Sequence, residues 1–349
     1  MKRLNFALII FILLGSGRFV MAQNSTDLYK ISDRIPLTGD GGWDYLTVDS
    51  VNSRLFVSHS TMVQVVDLKT NKQCGVIDNL KGVHGIAIAY ALNKGFISNG
   101  KDSTVTVFEL NSLKVTDRVK VTGKNPDAVL YDPFTKRVFT FNGGSNNATV
   151  IDATNNKVIG SIYLDGKPEF AVTDNKGKIW VNIENIYLVD QLNPETMHVD
   201  NRWSVTPGDN PSGLAIDLVN RRLFVACGNS KMIIMDADLG NVIINVTTDY
   251  GTDGIAWDPK LKRAYSSNGD GTFTIVQEVS KDKYVVLKNM KTQKGARTIA
   301  LDYKTNKVYL PFAEYGPPPP VSIDNARPRA AIKPGTFQLL EISPVTAGK

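Results

Sequence analysis

The chain has 349 residues, 42% hydrophobic and 21% charged, which is ample material for a core and excludes a disordered or fibrous polymer. Its formal charge of +6 includes Lys2, Arg3 and Arg18, with no acid among the first 22 residues, so the remainder carries +3. That excess is too small to point to nucleic acid or a strongly anionic surface as partner.

The first expected element is a leader. MKRLNFALIIFILLGSGRFVMAQ has a basic start, an apolar run from Leu4 to Leu14, and small residues before Gln23. Val20-Met21-Ala22 suits a signal peptidase, so cleavage is expected after Ala22, leaving 23–349 as a single domain. The apolar run is short for a membrane span, and no cysteine stands near the cleavage point to carry a lipid. The expectation is an exported, soluble protein, periplasmic or extracellular, with no membrane span after cleavage.

Next comes Lys30–Gly39, KISDRIPLTG, which closely matches KVTDRVKVTG at Lys114–Gly123. From Gly41 onward one phrase recurs: an apolar run, a turn often led by Asp, and a second apolar run. Its opening residues are Asp44, His84, Asp127, Glu169, Ser212, Asp253 and Arg297, spaced by 40, 43, 42, 43, 41 and 44 positions. Each copy holds four strand-like segments; in the third they fall near 127–131, 137–142, 148–152 and 157–163. A period of this length with four strands predicts the blades of a seven-bladed β-propeller, an all-β fold. The seventh copy has segments at 297–302, 307–311 and 336–341 and lacks a fourth. The Lys30–Gly39 strand is expected to supply it and close the ring. A closed ring leaves no open inner seam for a second chain, which fits a monomer.

The phrases Arg54-Leu-Phe-Val-Ser, Lys94-Gly-Phe-Ile-Ser-Asn, Arg222-Leu-Phe-Val-Ala and Arg263-Ala-Tyr-Ser-Ser-Asn resemble the YVTN-type repeat of YncE-like bacterial propellers. The resemblance spans about residues 29–343. It implies the propeller fold, and for function it implies only a family that contains binding proteins.

In such a fold, the loops entering the first strand of each blade and those leaving the second emerge on one face. Two columns of residues should therefore gather at one channel mouth. The first is the set of opening residues. The second comprises His59, Asn99, Asn142, Ile183, Cys227, Asn268 and Phe312, which puts Cys227 near the channel. Cys74 falls in an outer strand, so two free thiols are expected rather than a disulfide.

The first column holds four acids and one arginine, a formal −3 with His84 neutral. Arg297 has Asp253 and Asp44 as neighbours around the ring, as an ion pair at the seam would need. Asp127 and Glu169 are adjacent and have no cation in their own column. Unit charges about 8 Å apart repel by about 2 kcal/mol at an effective dielectric near 20, so something should relieve them. Oxygen donors from Asp127, Glu169 and Asn142 could hold Ca²⁺ or Mg²⁺, while Asn99 and Asn268 offer further amides. His59 and His84, from adjacent blades, could together hold Zn²⁺ with a carboxylate. His198 falls in an outer strand, away from the mouth.

His84, Glu169 and Arg297 resemble the acid, base and cation of propeller lactonases, although the motifs of those enzymes are not matched. No G-x-S-x-G elbow is present. Finally, seven of the 16 prolines lie between Pro311 and Pro334. They stiffen an insertion at 313–335 that could serve as surface decoration or as a lid bringing Glu314, Tyr315, Arg327 and Arg329 over the mouth. The leading reading is a binding protein for a small molecule or protein partner at that mouth. A lactonase-like hydrolase, with or without a divalent cation, and a cell-surface interaction protein are the alternatives.

Overall fold

The computed structural model describes residues 28–320 and 330–345. The expected cleavage site and the arginines Arg327 and Arg329 lie outside the described residues. Seven antiparallel sheets of four strands stand in a ring, and among the described residues the only helices are single 3₁₀ turns at Tyr90–Leu92 and Glu184–Ile186. No helix of the described residues is long and apolar enough to cross a membrane. In the third blade the strands are Pro126–Asp132, Arg137–Asn142, Asn147–Asp152 and Lys157–Tyr163. Each expected segment is there within one residue.

Local chemistry explains why the phrase repeats. The Asp that ends the first strand is buried in most blades and caps the following turn: Asp49 accepts from the Asn52 N–H at 3.0 Å, and Asp258 from those of Lys260 and Leu261 at 2.9 Å. The residue before the second strand then takes a left-handed conformation, as at Ser53 (φ 55°), Lys136 (φ 56°) and Asn306 (φ 57°). This reverses the chain within four residues and sets the antiparallel register. Neighbouring sheets bury their faces against each other. Phe96 of blade two packs with Val138 and Ile151 of blade three, and Phe139 of blade three packs with Ile179 and Val181 of blade four.

The seventh blade is completed as expected. Its sheet order runs from Tyr29–Pro36 at the outside, through Gln338–Pro344 and Lys307–Phe312, to Ala300–Asp302 beside the channel. Tyr29 pairs with Pro344 and Pro36 with Gln338. The Tyr29 hydroxyl reaches that of Tyr265 in blade six at 2.6 Å, so the closing strand also holds the neighbouring blade. The two cysteines are free, Cys74 exposed and Cys227 buried.

One buried group works against the fold. Asp190, in the third strand of blade four, is 1% exposed. Among the described residues neither of its carboxylate oxygens has a hydrogen-bond partner, and Arg202 Nε stands 3.6 Å away. Burial raises its pKa to about 6, with Arg202 only partly opposing. For a carboxyl raised in the folded state, stability is fully present below the ordinary value near 4 and is lost as pH rises through about 6. Asp190→Asn should therefore melt like the parent at pH 4 and gain about 1–3 kcal/mol at pH 7.5. Melting curves at the two pH values check this, and a loss at pH 7.5 would mean the carboxylate is usefully paired.

Candidate functional site

Every opening residue of blades one to six sits in a β-bulge. In blade three Pro126 pairs with Asn142 and Val129 with Thr140, so Asp127 and Ala128 together face one partner. The same shift occurs after Trp43, Val83, Pro168, Pro211 and Thr252. A bulge turns one side chain out of the alternating pattern, and here it turns six of them toward the same mouth. The bulges are fixed from neighbouring blades. The Ser98 hydroxyl donates to the Asp127 carbonyl, Asn182 Nδ2 to the Ser212 carbonyl at 2.8 Å, and Thr298 Oγ1 to the Asp44 carbonyl at 2.6 Å. The glycine after the opening residue makes this approach possible: a Cβ on Gly85 would lie 2.7 Å from the Val129 nitrogen, and one on Gly213 2.5 Å from the Asp253 carbonyl.

The result is an acidic cup of about 420 Å³. Asp44, His84, Asp127, Glu169, Ser212, Asp253 and Arg297 all line it, so the first column is one site. Lys167 and Glu184 join them. Below, a second space of about 420 Å³ continues the channel between apolar walls that include Ile88, Val129, Ile216 and Trp257. The mouth is polar and the shaft is not.

The second column takes no part. His59, Asn99, Asn142 and Asn268 are fully buried. The three asparagines turn into their own blades, donating to Thr106, Thr149 and Thr274 at 2.9–3.0 Å, where they brace the hairpin to the third strand. Asn142 is therefore no partner for Asp127 and Glu169 in holding a cation. His59 packs against Phe337, with ring centroids 4.0 Å apart and the planes tilted by 33°, and turns its nitrogens to Gln64 and the Gly41 carbonyl. Burial lowers its pKa, and it forms no pair with His84. Cys227 belongs to the apolar core and does not line the channel. One position later stand Gly100, Gly143 and Gly269, beside His84, Lys167 and Arg297 of the cup, and in blade four Glu184, which lines it. A Cβ on Gly100 would come within 2.8 Å of His84 Nε2, so its absence makes room for the imidazole.

Charges in the cup are arranged in three groups. Arg297 pairs with Asp253, as its place at the seam suggested. Lys167 lies 2.5 Å from both Glu169 and Glu184. Glu169 has no cation in its own column, as expected, and its cation comes from outside it: Lys167 stands two residues before it, in the loop that leads into the strand. His84 Nδ1 lies 2.6 Å from Asp44 and 3.8 Å from Asp127. Among the described residues five carboxylates thus face two permanent cations, a formal −3 when His84 is neutral and −2 when it is charged.

The titration follows from that excess. Burial, and then the charge of Asp44, raise the Asp127 carboxyl above the usual range, although His84 and Lys167 oppose. Burial and Asp127 likewise raise Glu169 against the pull of Lys167. Burial disfavours a charged His84, yet the hydrogen bond to Asp44 and the charge of Asp127 lift its pKa above the ordinary value. Tyr45, stacked on Phe170 at 5.4 Å, is raised by burial and by the surrounding acids.

The described parts of the proline-rich segment, 313–320 and 330–335, stand beside the cup. The two form a short ladder, with Tyr315 bridged to Ile332 and Lys333 Nζ 3.0 Å from Glu314. Glu314 therefore points at the base of the segment and does not line the cup. Tyr315 stands 6.3 Å from Trp43, and with Trp43, Lys294 and Arg297 it borders a groove of about 890 Å³ next to the cup.

No family model matches the chain, and no curated protein matches it. Among solved structures it is similar to Kuenenia stuttgartiensis hydrazine synthase, with a TM-score of 0.70 and 18% identity, covering 78% of this chain and 94% of that one. It is also similar to a chain of the mitotic checkpoint complex, with a TM-score of 0.73 and 11% identity, covering 88% and 96%. At these identities the likeness establishes the β-propeller and nothing finer.

Proposed function

We propose that this chain is an exported, YncE-like propeller that binds a cationic ligand in the acidic cup. One observation carries the reading: five carboxylates converge on a space of about 420 Å³ that contains two permanent cations, and Asp127 and Glu169 stay hard to ionise despite His84 and Lys167. A channel serving only as a core has no use for that cost, because neutral polar side chains would fill the same wall. The Arg297–Asp253 pair alone is what a structural seam needs. The acids beyond it are not. Leu46, Phe170, Ile255 and Ile299 share the cup wall, so an ammonium or guanidinium group carried on an apolar body would suit both surfaces.

The hydrolase reading draws on the same cup, since His84, Glu169 and Arg297 all line it. Each of the three is held by a different partner, however, and the geometry gives that reading no added support. A thermal-shift and calorimetric screen separates the two. We expect amines, guanidines or metal cations to raise the melting temperature, by an amount that grows with the logarithm of concentration. Anions should do nothing, and lactones should be neither bound nor opened. A protein stabilised only by anions, or by none of these, would end the cation reading.

A further inference from the structure

We propose that Asp44, His84 and Asp127 form a binding site for one divalent first-row transition-metal ion, with Zn²⁺ as the preferred test ion. This rests on the cation reading above and names the cation. The three side chains come from three successive blades, and their donor atoms all lie within 4.8 Å of one another. His84 presents Nδ1 to both carboxylates, at 2.6 Å and 3.8 Å. Donors held about 2.0–2.2 Å from one metal stand roughly 3 Å apart, so the observed gaps bracket the spacing a metal would impose.

Three further features favour a metal over a simple His–Asp hydrogen bond. A hydrogen bond needs one carboxylate, yet Asp127 faces the same nitrogen. Lys167 pairs with Glu169 and Glu184, and Arg297 with Asp253, so among the described residues His84 is the basic side chain within 4 Å of both Asp44 and Asp127. The donors are also preorganised: the Asp44 carbonyl is held by Thr298, the Asp127 carbonyl by Ser98, and Gly100 leaves the imidazole its place. An imidazole with two carboxylates selects Zn²⁺, Mn²⁺ or Co²⁺ over Ca²⁺ and Mg²⁺, which take all-oxygen shells. Three protein donors on one side leave the remaining positions open toward the cup, where water or a ligand group could complete the shell.

The test is calorimetric titration of chelator-treated, untagged full-length protein with Zn²⁺, Mn²⁺ and Mg²⁺. It is run in a Cys74→Ser, His198→Asn background, because an exposed thiol and an exposed histidine bind zinc adventitiously. One equivalent of Zn²⁺ should bind, with Mg²⁺ about a hundredfold weaker or more. His84→Asn and Asp127→Asn should each weaken Zn²⁺ about a hundredfold, while metal-free melting curves show the ring intact. Co²⁺ should give visible bands that both variants lose. Zinc binding that survives in both variants, or no stoichiometric binding in the parent, overturns the proposal. If zinc fails while an organic amine still binds the cup, the metal site is wrong and the cation reading stands.

Discussion

Removing Tyr29–Pro36 is expected to lower the melting temperature by about 10 °C or more and to make the protein associate. The strand is the outer member of blade seven, paired along its length with Gln338–Pro344. Its loss strips the pocket of Tyr29 and Ile35, which are 3% and 2% exposed, at about 2 kcal/mol for each apolar side chain. It also removes the contact of Tyr29 with Tyr265 and the 3.1 Å hydrogen bond that Arg263 donates to the Tyr29 hydroxyl. The new edge, Gln338–Pro344, would offer unpaired backbone groups to another chain. Calorimetry and size-exclusion chromatography check both parts. A milder variant, Ile35→Asp, keeps the strand and should show a smaller drop with the same sign. A truncated protein that stays monomeric and melts within about 2 °C of the parent would show that ring closure contributes little.

The second large effect is a trade at the cup. Asp127→Asn with Glu169→Gln should hold or raise the melting temperature while abolishing cation binding, the pattern expected where function has been kept at a cost in stability. The sign follows from the direction of the shifts. Both carboxyls are raised in the folded protein, so ionising them disfavours folding, even though Glu169 has Lys167 beside it. Neutral amides of the same shape remove that penalty, and Lys167 keeps Glu184 at 2.5 Å. Glu169 also adds a pH dependence: its contribution is complete below the ordinary carboxyl range near pH 4 and is lost as pH rises to about 8. Glu169→Gln alone should therefore flatten the stability profile above pH 4. A double variant that is clearly less stable at pH 7 and binds cations like the parent would show that the acids are structural.

How much could be read beforehand depended on whether a residue's role was set locally. Asp49, Asp132 and Asp258 cap turns a few residues away, so the repeated phrase revealed the strands and their number. The Lys30–Gly39 match revealed the closing strand because it repeats an outer strand elsewhere in the chain. The column from Asp44 to Arg297 was legible for the same reason: each member opens a repeat, and in blades one to six the bulge that turns it inward follows from that position. The second column failed by one residue. Strand period is two, so a shift of one position moves a side chain to the other face. Asn99, Asn142 and Asn268 are therefore interior braces, while the glycines after them border the mouth. Lys167 was missed because it comes from a loop, where repeat alignment carries no register. The signal available was a lysine two residues ahead of Glu169, followed by Pro168.

Blade seven has a mechanical consequence. The chain enters the ring at Tyr29 and leaves it at Pro344, and these two residues are paired opposite each other. Tension applied between the two ends would load one rung of that ladder at a time, from Tyr29–Pro344 toward Pro36–Gln338, and so unzip it rather than shear all rungs together. The ring should thus resist heat much better than it resists being pulled by its ends. Anchoring the molecule through one terminus leaves the seam unloaded, whereas tethering both would place the load on the contact that closes the circle.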